Sequence, residues 1–238
     1  PALETARQAK AGHLRLLALP ERIDRVPMPA VEILPAPRRG RDGVLGPRLA
    51  DAVTNTVGRG EQALLFLNRR GFAPAMLCVA CGAVPKCRQC STTLVLHLHD
   101  NLVKCHWCGE SSAPPRKCAR CGGEALRALG IGTQRVESEV RALLPAARIV
   151  RMDGDTTRRR LAHGELLGAF AEGDVLIGTQ MVAKGLDFPR LTLVGVVLAD
   201  LSLHLPDFRA AERTFQLLTQ VAGRAGRRDV QGRVIVQA

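Results

Sequence analysis

The stretch Leu191-Thr-Leu-Val-Gly-Val-Val-Leu198 runs for eight residues without a charge and without alternation between apolar and polar side chains. A strand with one wet face alternates, whereas a strand buried on both faces does not, and strands of the second kind belong to parallel sheets covered by helices. Shorter runs of the same character flank it: Leu14–Leu19, Ala63–Leu67, Arg148–Met152, Val175–Gly178 and Val234–Gln237. Between them lie helical patterns at Gly46–Val57, at Thr133–Leu144 (Thr133 as N-cap, Pro145 as stop), at Arg159–Ala171 and from Phe208 to Ala222. Strands alternating with helices predict an α/β fold, a parallel sheet with helices on both faces. A proline-rich connector (Pro20, Pro27, Pro29, Pro35, Pro37) follows the Leu14–Leu19 strand. Even extended to Ala199, the longest apolar run is half of the ~20 residues a bilayer crossing needs, so no membrane association is expected.

The eight cysteines stand apart from this pattern. They form four C-x-x-C pairs, Cys78/Cys81, Cys87/Cys90, Cys105/Cys108 and Cys118/Cys121, all within 44 residues, and the rest of the chain has none. Disulfides suit small secreted domains, and no basic-then-apolar leader opens the chain. A two-residue gap lets both thiolates face one ion from a tight turn, and two such knuckles complete a tetrahedron, so the expectation is two structural Zn²⁺ ions. Thr93–His99 and Leu102–Lys104 read as a β-hairpin turning at Asp100-Asn101, which brings Cys87/Cys90 beside Cys105/Cys108. The favoured pairing is therefore nested, with Cys78, Cys81, Cys118 and Cys121 on the other ion, over sequential or interleaved pairing. His97, His99 and His106 read as spectators; Trp107, between two of the ligands, either caps the hairpin or is offered to a base, and burial is the favoured role. So few large apolar residues cannot fold this stretch alone; metal binding, about 10–16 kcal/mol per structural site, supplies what packing does not.

Composition narrows the partner. The 238 residues carry 34 Lys and Arg against 22 Asp and Glu, a formal charge of +12, with 29 of the cations Arg. A GC-rich genome produces that skew with no nucleic-acid function, and eight zinc-bound thiolates reduce the charge to about +8. With 46% hydrophobic residues the chain is no disordered Arg-rich tail. It begins at Pro1 rather than Met and is expected to be a piece of a longer protein.

Three loops have unusual composition: Asn68-Arg69-Arg70-Gly71, Gly178–Pro189, and Gln220-Val-Ala-Gly223-Arg224-Ala-Gly226-Arg227. Ligands of open α/β sheets bind beyond the carboxyl ends of the strands, and all three loops are expected there. The plain reading of the third is a helix end with glycine caps and dipole-satisfying arginines. Two arginines three apart, each preceded by glycine, also suit polyphosphate: glycine lets the backbone approach and guanidinium forks bind phosphate oxygens in pairs.

Gln220-x-x-Gly-Arg-x-Gly-Arg227 resembles motif VI of superfamily 2 helicases, and Thr179–Gly185 with Asp187 resembles their motif V. Together with Asn68–Gly71 and the four C-x-x-C pairs, the chain closely resembles the PriA (primosomal protein N′) family of replication-restart helicases. Pro1–Thr5, Asp207-Phe-Arg209 and Ala211-Glu212-Arg213 are similar to that family as well. The resemblance implies a second RecA-like helicase lobe over 41–77 and 122–238, a zinc insertion over 78–121, and the end of a first lobe with an interlobe linker over 1–40. It implies that Arg227 reaches the γ-phosphate of ATP held with Mg²⁺ on the first lobe, that Arg224 assists, and that Gln220 orders the loop. An arginine finger is worth about 10³–10⁵ in rate. Gly185 and Asp187 would line the nucleotide side, Asp187 contacting the ribose or ordering motif V. Thr179, Lys184, Arg69 and Arg70 would contact the DNA backbone. The nested cysteine pairing is also the family's.

The implied protein is a bacterial, cytoplasmic and nucleoid-associated 3′→5′ DNA helicase acting at stalled or branched forks. Its partners would be branched or single-stranded DNA, single-strand-binding protein, and primosome and helicase-loading proteins. These residues contain neither G-x-x-x-x-G-K-[ST] nor a D-E-x-H box, so the fragment by itself is expected not to hydrolyse ATP. An intact phosphate loop upstream would make the parent a motor. Its loss would make it an ATPase-deficient, non-catalytic DNA-binding and primosome-loading scaffold. A zinc-ribbon transcription factor leaves Gln220–Arg227 unexplained.

Overall fold

The computed structural model describes residues 2–18, 27–37, 43–67, 76–78, 80–97, 100–124, 126–128, 132–153, 156–157, 162–183, 188–204, 207–226 and 231–238. Six strands form one sheet: β1 (Ala30–Leu34), β2 (Gln62–Leu67), β8 (Ile149–Met152), β9 (Val175–Gly178), β10 (Leu191–Val197) and β11 (Arg233–Gln237). Their order is β1-β11-β10-β2-β9-β8, and every adjacent pair is parallel. The uncharged run that opened the reading is β10, near the middle of the sheet and buried at every residue.

Strand geometry sends successive side chains to opposite faces, and β2 shows the division. Leu64 and Phe66 join Phe170 of α4 (Ala162–Ala171) and Val221 of α5 (Ala210–Ala222) in one core. Leu65 and Leu67 join Leu49 and Val53 of α2 (Pro47–Gly58) and Val136 and Val140 of α3 (Thr133–Leu143) in the other. Gly195 is needed at the centre of β10, because a Cβ there would stand 2.7 Å from side-chain carbons of Leu49 and Leu65. The parallel α/β lobe that the sequence predicts is the one observed.

Several elements differ from expectation. Leu14–Ala18 is not a strand; the chain opens instead with α1 (Leu3–Lys10), and the N-terminal strand is β1, inside the proline-rich connector. Pro29 and Pro35 immediately flank that five-residue strand at the sheet edge, where missing N–H groups are tolerated. Residues 30–34, expected in the linker, thus pair with β11 in the lobe's sheet. Thr133 is the first helical residue of α3 rather than its N-cap, which is Gly132. Its hydroxyl is drawn instead to the buried Asp153 carboxylate, which also pairs with Arg151 Nη1 at 2.6 Å. The expected helix from Arg159 is described from Ala162 onward. Among the described residues no helix is long and apolar enough to cross a membrane.

The cysteine stretch follows β2 in the chain. β3 (Met76–Cys78) pairs antiparallel with β7 (Leu126–Ala128) and forms its stalk. β4 (Val95–His97), β5 (Leu102–Lys104) and β6 (Ser111–Ser112) form a small antiparallel sheet. The hairpin expected between Thr93 and Lys104 is present, with His97 opposite Leu102 and Asn101 at φ +49°. Residues 98 and 99, which lead into the expected Asp100-Asn101 turn, lie outside the described residues. Among the described residues the module's core cluster is small, Met76, Cys78, Leu96, Val103, Cys118 and Leu126 with a few half-buried neighbours, too little to hold the chain without metal.

Candidate functional site

Each C-x-x-C pair closes the same turn. The amide four residues after the first cysteine donates to that cysteine's carbonyl: Gly82 to Cys78, Ser91 to Cys87, Gly109 to Cys105 and Gly122 to Cys118, at 2.8–3.0 Å. The first cysteine's own N–H donates to the carbonyl one residue further on, in Ala83, Thr92, Glu110 and Gly123. The position after the second cysteine has positive φ in all four knuckles, and three of them use glycine. Ser91, at φ +57°, adopts the left-handed conformation with a side chain.

These four turns gather the sulfurs into two groups, Cys78/Cys81/Cys118/Cys121 and Cys87/Cys90/Cys105/Cys108, each with all its sulfurs within 4.8 Å of one another. Sulfurs of paired knuckles approach to 3.3–3.6 Å. That is too far for a disulfide and close to the ~3.8 Å edge of a tetrahedron with ~2.3 Å Zn–S bonds. The donor set fits zinc, and eight cysteines would fill two four-coordinate sites with no open position. The grouping is the nested one. His97 and His106 join neither group; their Nε2 atoms lie 3.0 Å apart. His99 lies outside the described residues. Trp107, expected to be buried, is 78% exposed.

Without metal, each group holds one cysteine close to ionisation. The Thr92 hydroxyl and amide hold the Cys90 thiol down at about 6, and the amides of Cys121 and Arg120 do the same for Cys118. The Glu110 carboxylate, 3.0 Å from Cys87, pushes that thiol up to about 12. Ala83's amide favours the Cys81 thiolate, yet burial and three neighbouring cysteines push it up to about 12. Metal binds thiolates, so the raised members of each set would release protons when a cation binds.

In the lobe, Thr179 follows β9 at the carboxyl edge of the sheet. Its N–H donates to Met152 O at 3.3 Å, and its carbonyl accepts from Val182 at 3.0 Å. Gln220 is exposed and Arg224 half-buried, one helical turn apart at the end of α5. Arg69, Arg70, Lys184, Gly185, Asp187 and Arg227 lie outside the described residues.

The expectation that all three loops share the carboxyl edge does not hold. α5 makes contact near its start with the 3₁₀ segment Ala199–His204, beyond the carboxyl end of β10. It ends where Gly226 N–H donates to Leu191 O at 3.0 Å, at the opposite end of that strand. A helix linking parallel strands runs antiparallel to them, and 13 residues at ~1.5 Å each cross about 20 Å of sheet. Thr179 and the Gly223–Gly226 turn therefore sit at opposite edges.

Gly226 has φ +71°, a backbone role in keeping with the glycine caps of the plain reading. One feature of this turn escaped the sequence reading. Gly232, just before β11, presses on the same turn: a Cβ there would lie 2.3 Å from Ala225 C and 2.5 Å from Gly226 N. A glycine directly ahead of an apolar strand was the available signal. At the other end of α5, Leu3 N–H donates to Glu212 Oε1 at 2.9 Å, and Arg209 pairs with Glu4. These contacts tie α1 to α5.

No protein-family model matches the chain. The replication restart protein PriA of Bacillus subtilis is 48% identical over 242 residues, which cover 100% of this chain and 30% of that protein. Replication restart protein PriA of Treponema pallidum is 42% identical (100% and 36%), and that of Haemophilus influenzae 38% (100% and 33%). Among solved structures, the Pyrococcus furiosus Hef helicase domain matches with TM-score 0.35 and 16% identity, over 80% of this chain and 25% of that one. S. cerevisiae Dbp5 bound to RNA and ADP BeF3 matches with TM-score 0.46 and 12% identity, over 100% and 43%. At these scores the fold assignment rests on the sheet itself. The chain spans about a third of the length of the curated relatives it matches, and over the whole of its own length it is similar to that segment of replication restart proteins PriA.

Proposed function

We propose that the chain is the second motor lobe and zinc module of an ATP-dependent 3′→5′ DNA helicase that engages stalled or branched forks and loads the replicative helicase. In this reading the amino edge of the sheet, with Gln220, Arg224 and Arg227, faces ATP and Mg²⁺ on a preceding lobe, and Gly185 and Asp187 border the nucleotide. The carboxyl edge, with Thr179, faces the DNA backbone, joined by Lys184, Arg69 and Arg70. Two Zn²⁺ ions fold the module and take no part in the chemistry. The partners are branched or single-stranded DNA, single-strand-binding protein and primosome proteins, in the bacterial cytoplasm at the nucleoid.

The observation that supports this reading most is that Thr179 and the Gly223–Gly226 turn lie at opposite edges of one sheet. A translocating motor needs nucleotide and strand contacts at distinct places on one body, so that rotation of the lobe about the nucleotide moves the strand. The turn at Gly223–Gly226 is held from two sides, by Leu191 O and by Gly232. A preorganised guanidinium meets developing phosphoryl charge without reorganisation.

The test is Arg227→Ala in the full-length protein. DNA-stimulated ATP turnover is expected to fall by about 10³-fold or more, with zinc content and DNA affinity retained. Unchanged turnover would refute the finger assignment. A full-length wild type that binds forks and never turns over ATP would identify the scaffold instead.

A further inference from the structure

We propose that the tip of the Cys87/Cys90/Cys105/Cys108 site is a stacking platform for unpaired nucleobases, with the Trp107 indole as its surface. The proposal rests on the nucleic-acid reading above and adds a subsite to it.

The two positions between paired cysteines form the tip of each knuckle. At the Cys78/Cys81/Cys118/Cys121 site the described tip residues are Ala80, Ala119 and Arg120, mostly small. At the other site the tips carry Arg88 and Gln89 on one knuckle and His106 and Trp107 on the other, all exposed. One ion holds both knuckles, so a guanidinium, an amide, an imidazole and an indole share one end of the module. Trp107 lies between two metal-ligating cysteines, and its neighbour His106 is tied to His97 across the hairpin at 3.0 Å. Its backbone is thus fixed while its ring stays in water. A large aromatic displayed on a fixed backbone loses little freedom on binding.

A single strand is the occupant the chemistry favours. A groove of about 1140 Å³ runs between the two sites and is lined by Lys86, Arg88, Lys117 and Arg120 together with Pro85 and Pro115. These cations suit a phosphate track that begins at the Arg88 tip. Between Cys78 and Cys121 there are six Lys or Arg and two carboxylates, an excess of four positive charges, which two dianionic zinc–thiolate centres cancel. The loaded module is therefore neutral and cannot hold a strand by net charge. Stacking on Trp107, which accepts any base, therefore has to add to what the local cations of the track supply, and those cations keep the binding salt-dependent.

The experiment follows from composition, because Trp107 is the single Trp and the chain has no Tyr, so tryptophan emission reports this tip alone. The zinc-loaded chain is titrated with a thymidine oligonucleotide and with a matched duplex. The expected result is strong quenching by the single strand and little by the duplex. Trp107→Ala should weaken single-strand binding by about 5- to 150-fold with an unchanged salt slope, and Trp107→Phe should retain most of it. Two zinc ions per chain in each variant exclude misfolding. Single-strand binding without quenching, equally tight in Trp107→Ala, would overturn the platform, leave the lobe's DNA contacts standing and mark Trp107 as a protein contact. No binding of either nucleic acid would overturn both readings.

Discussion

Gly232→Ala is a one-methyl change whose consequence can be worked out from the structure. The added carbon would stand 2.3 Å from Ala225 C, 2.4 Å from Ala225 O and 2.5 Å from Gly226 N. Ordinary carbon contacts begin near ~3.5 Å, so something must move by about 1 Å. The strand cannot yield, because β11 lies between β1 and β10 in register and Gly232 O accepts Ala30 N–H at 3.2 Å. The turn must move instead, breaking the Gly226 N–H to Leu191 O bond. Overpacking costs about 1–3 kcal/mol and the lost hydrogen bond about 0.5–1.5, together about 2–4. For a chain of this size the melting midpoint should fall by roughly 5–15 °C. The assay is thermal or urea unfolding of the zinc-loaded chain followed by far-UV circular dichroism, since Trp107 reports the module and not the lobe. Gly58→Ala is the matched control. It closes α2 with nothing within 4 Å of the added carbon, and should be neutral or stabilising by up to about 1 kcal/mol. Under the proposed motor function, Gly232→Ala in the full-length protein should also depress ATP turnover by displacing Arg224, while DNA affinity holds. Equal midpoints for the two variants would refute the account of how the turn is held.

Other changes test other parts of the structure. Ser91→Gly should relieve the left-handed strain of its knuckle and tighten zinc retention in chelator competition by up to about 1 kcal/mol, while Gly109→Ala should loosen it by a similar amount. Zinc affinity should fall as the pH is lowered, because Cys81 and Cys87, raised to about 12 without metal, release protons when it binds; a pH-independent affinity would contradict that assignment. Thr133→Val removes the hydroxyl facing buried Asp153 and should cost about 1–3 kcal/mol in urea unfolding, whereas Thr133→Ser should cost much less.

Much of this was legible in the residues. Leu191–Leu198, Val175–Gly178 and Ala63–Leu67 announce a sheet buried on both faces, because only that environment tolerates strands without polar alternation. The cysteine pairing was legible for a similar reason: the hairpin between Cys90 and Cys105 turns the chain back and leaves the outer knuckles to meet each other. Short-range signals failed where a distant partner outbid them. Thr133 looks like an N-cap until Asp153, far along the chain, claims its hydroxyl. Leu14–Ala18 has strand-like residues, but the place in the sheet goes to Ala30–Leu34, whose backbone meets β11.

The sequence by itself determined which chemistry is present. Eight thiolates at metal-binding spacing, a glycine–arginine array and a double-faced sheet are written locally, in residue type and interval. The tertiary structure alone decided where that chemistry sits. It put Thr179 and Gly223–Gly226 at opposite edges, because a helix crossing a parallel sheet must run backwards along it. It also left Trp107 in water, because a knuckle that wraps an ion turns its two middle residues outward.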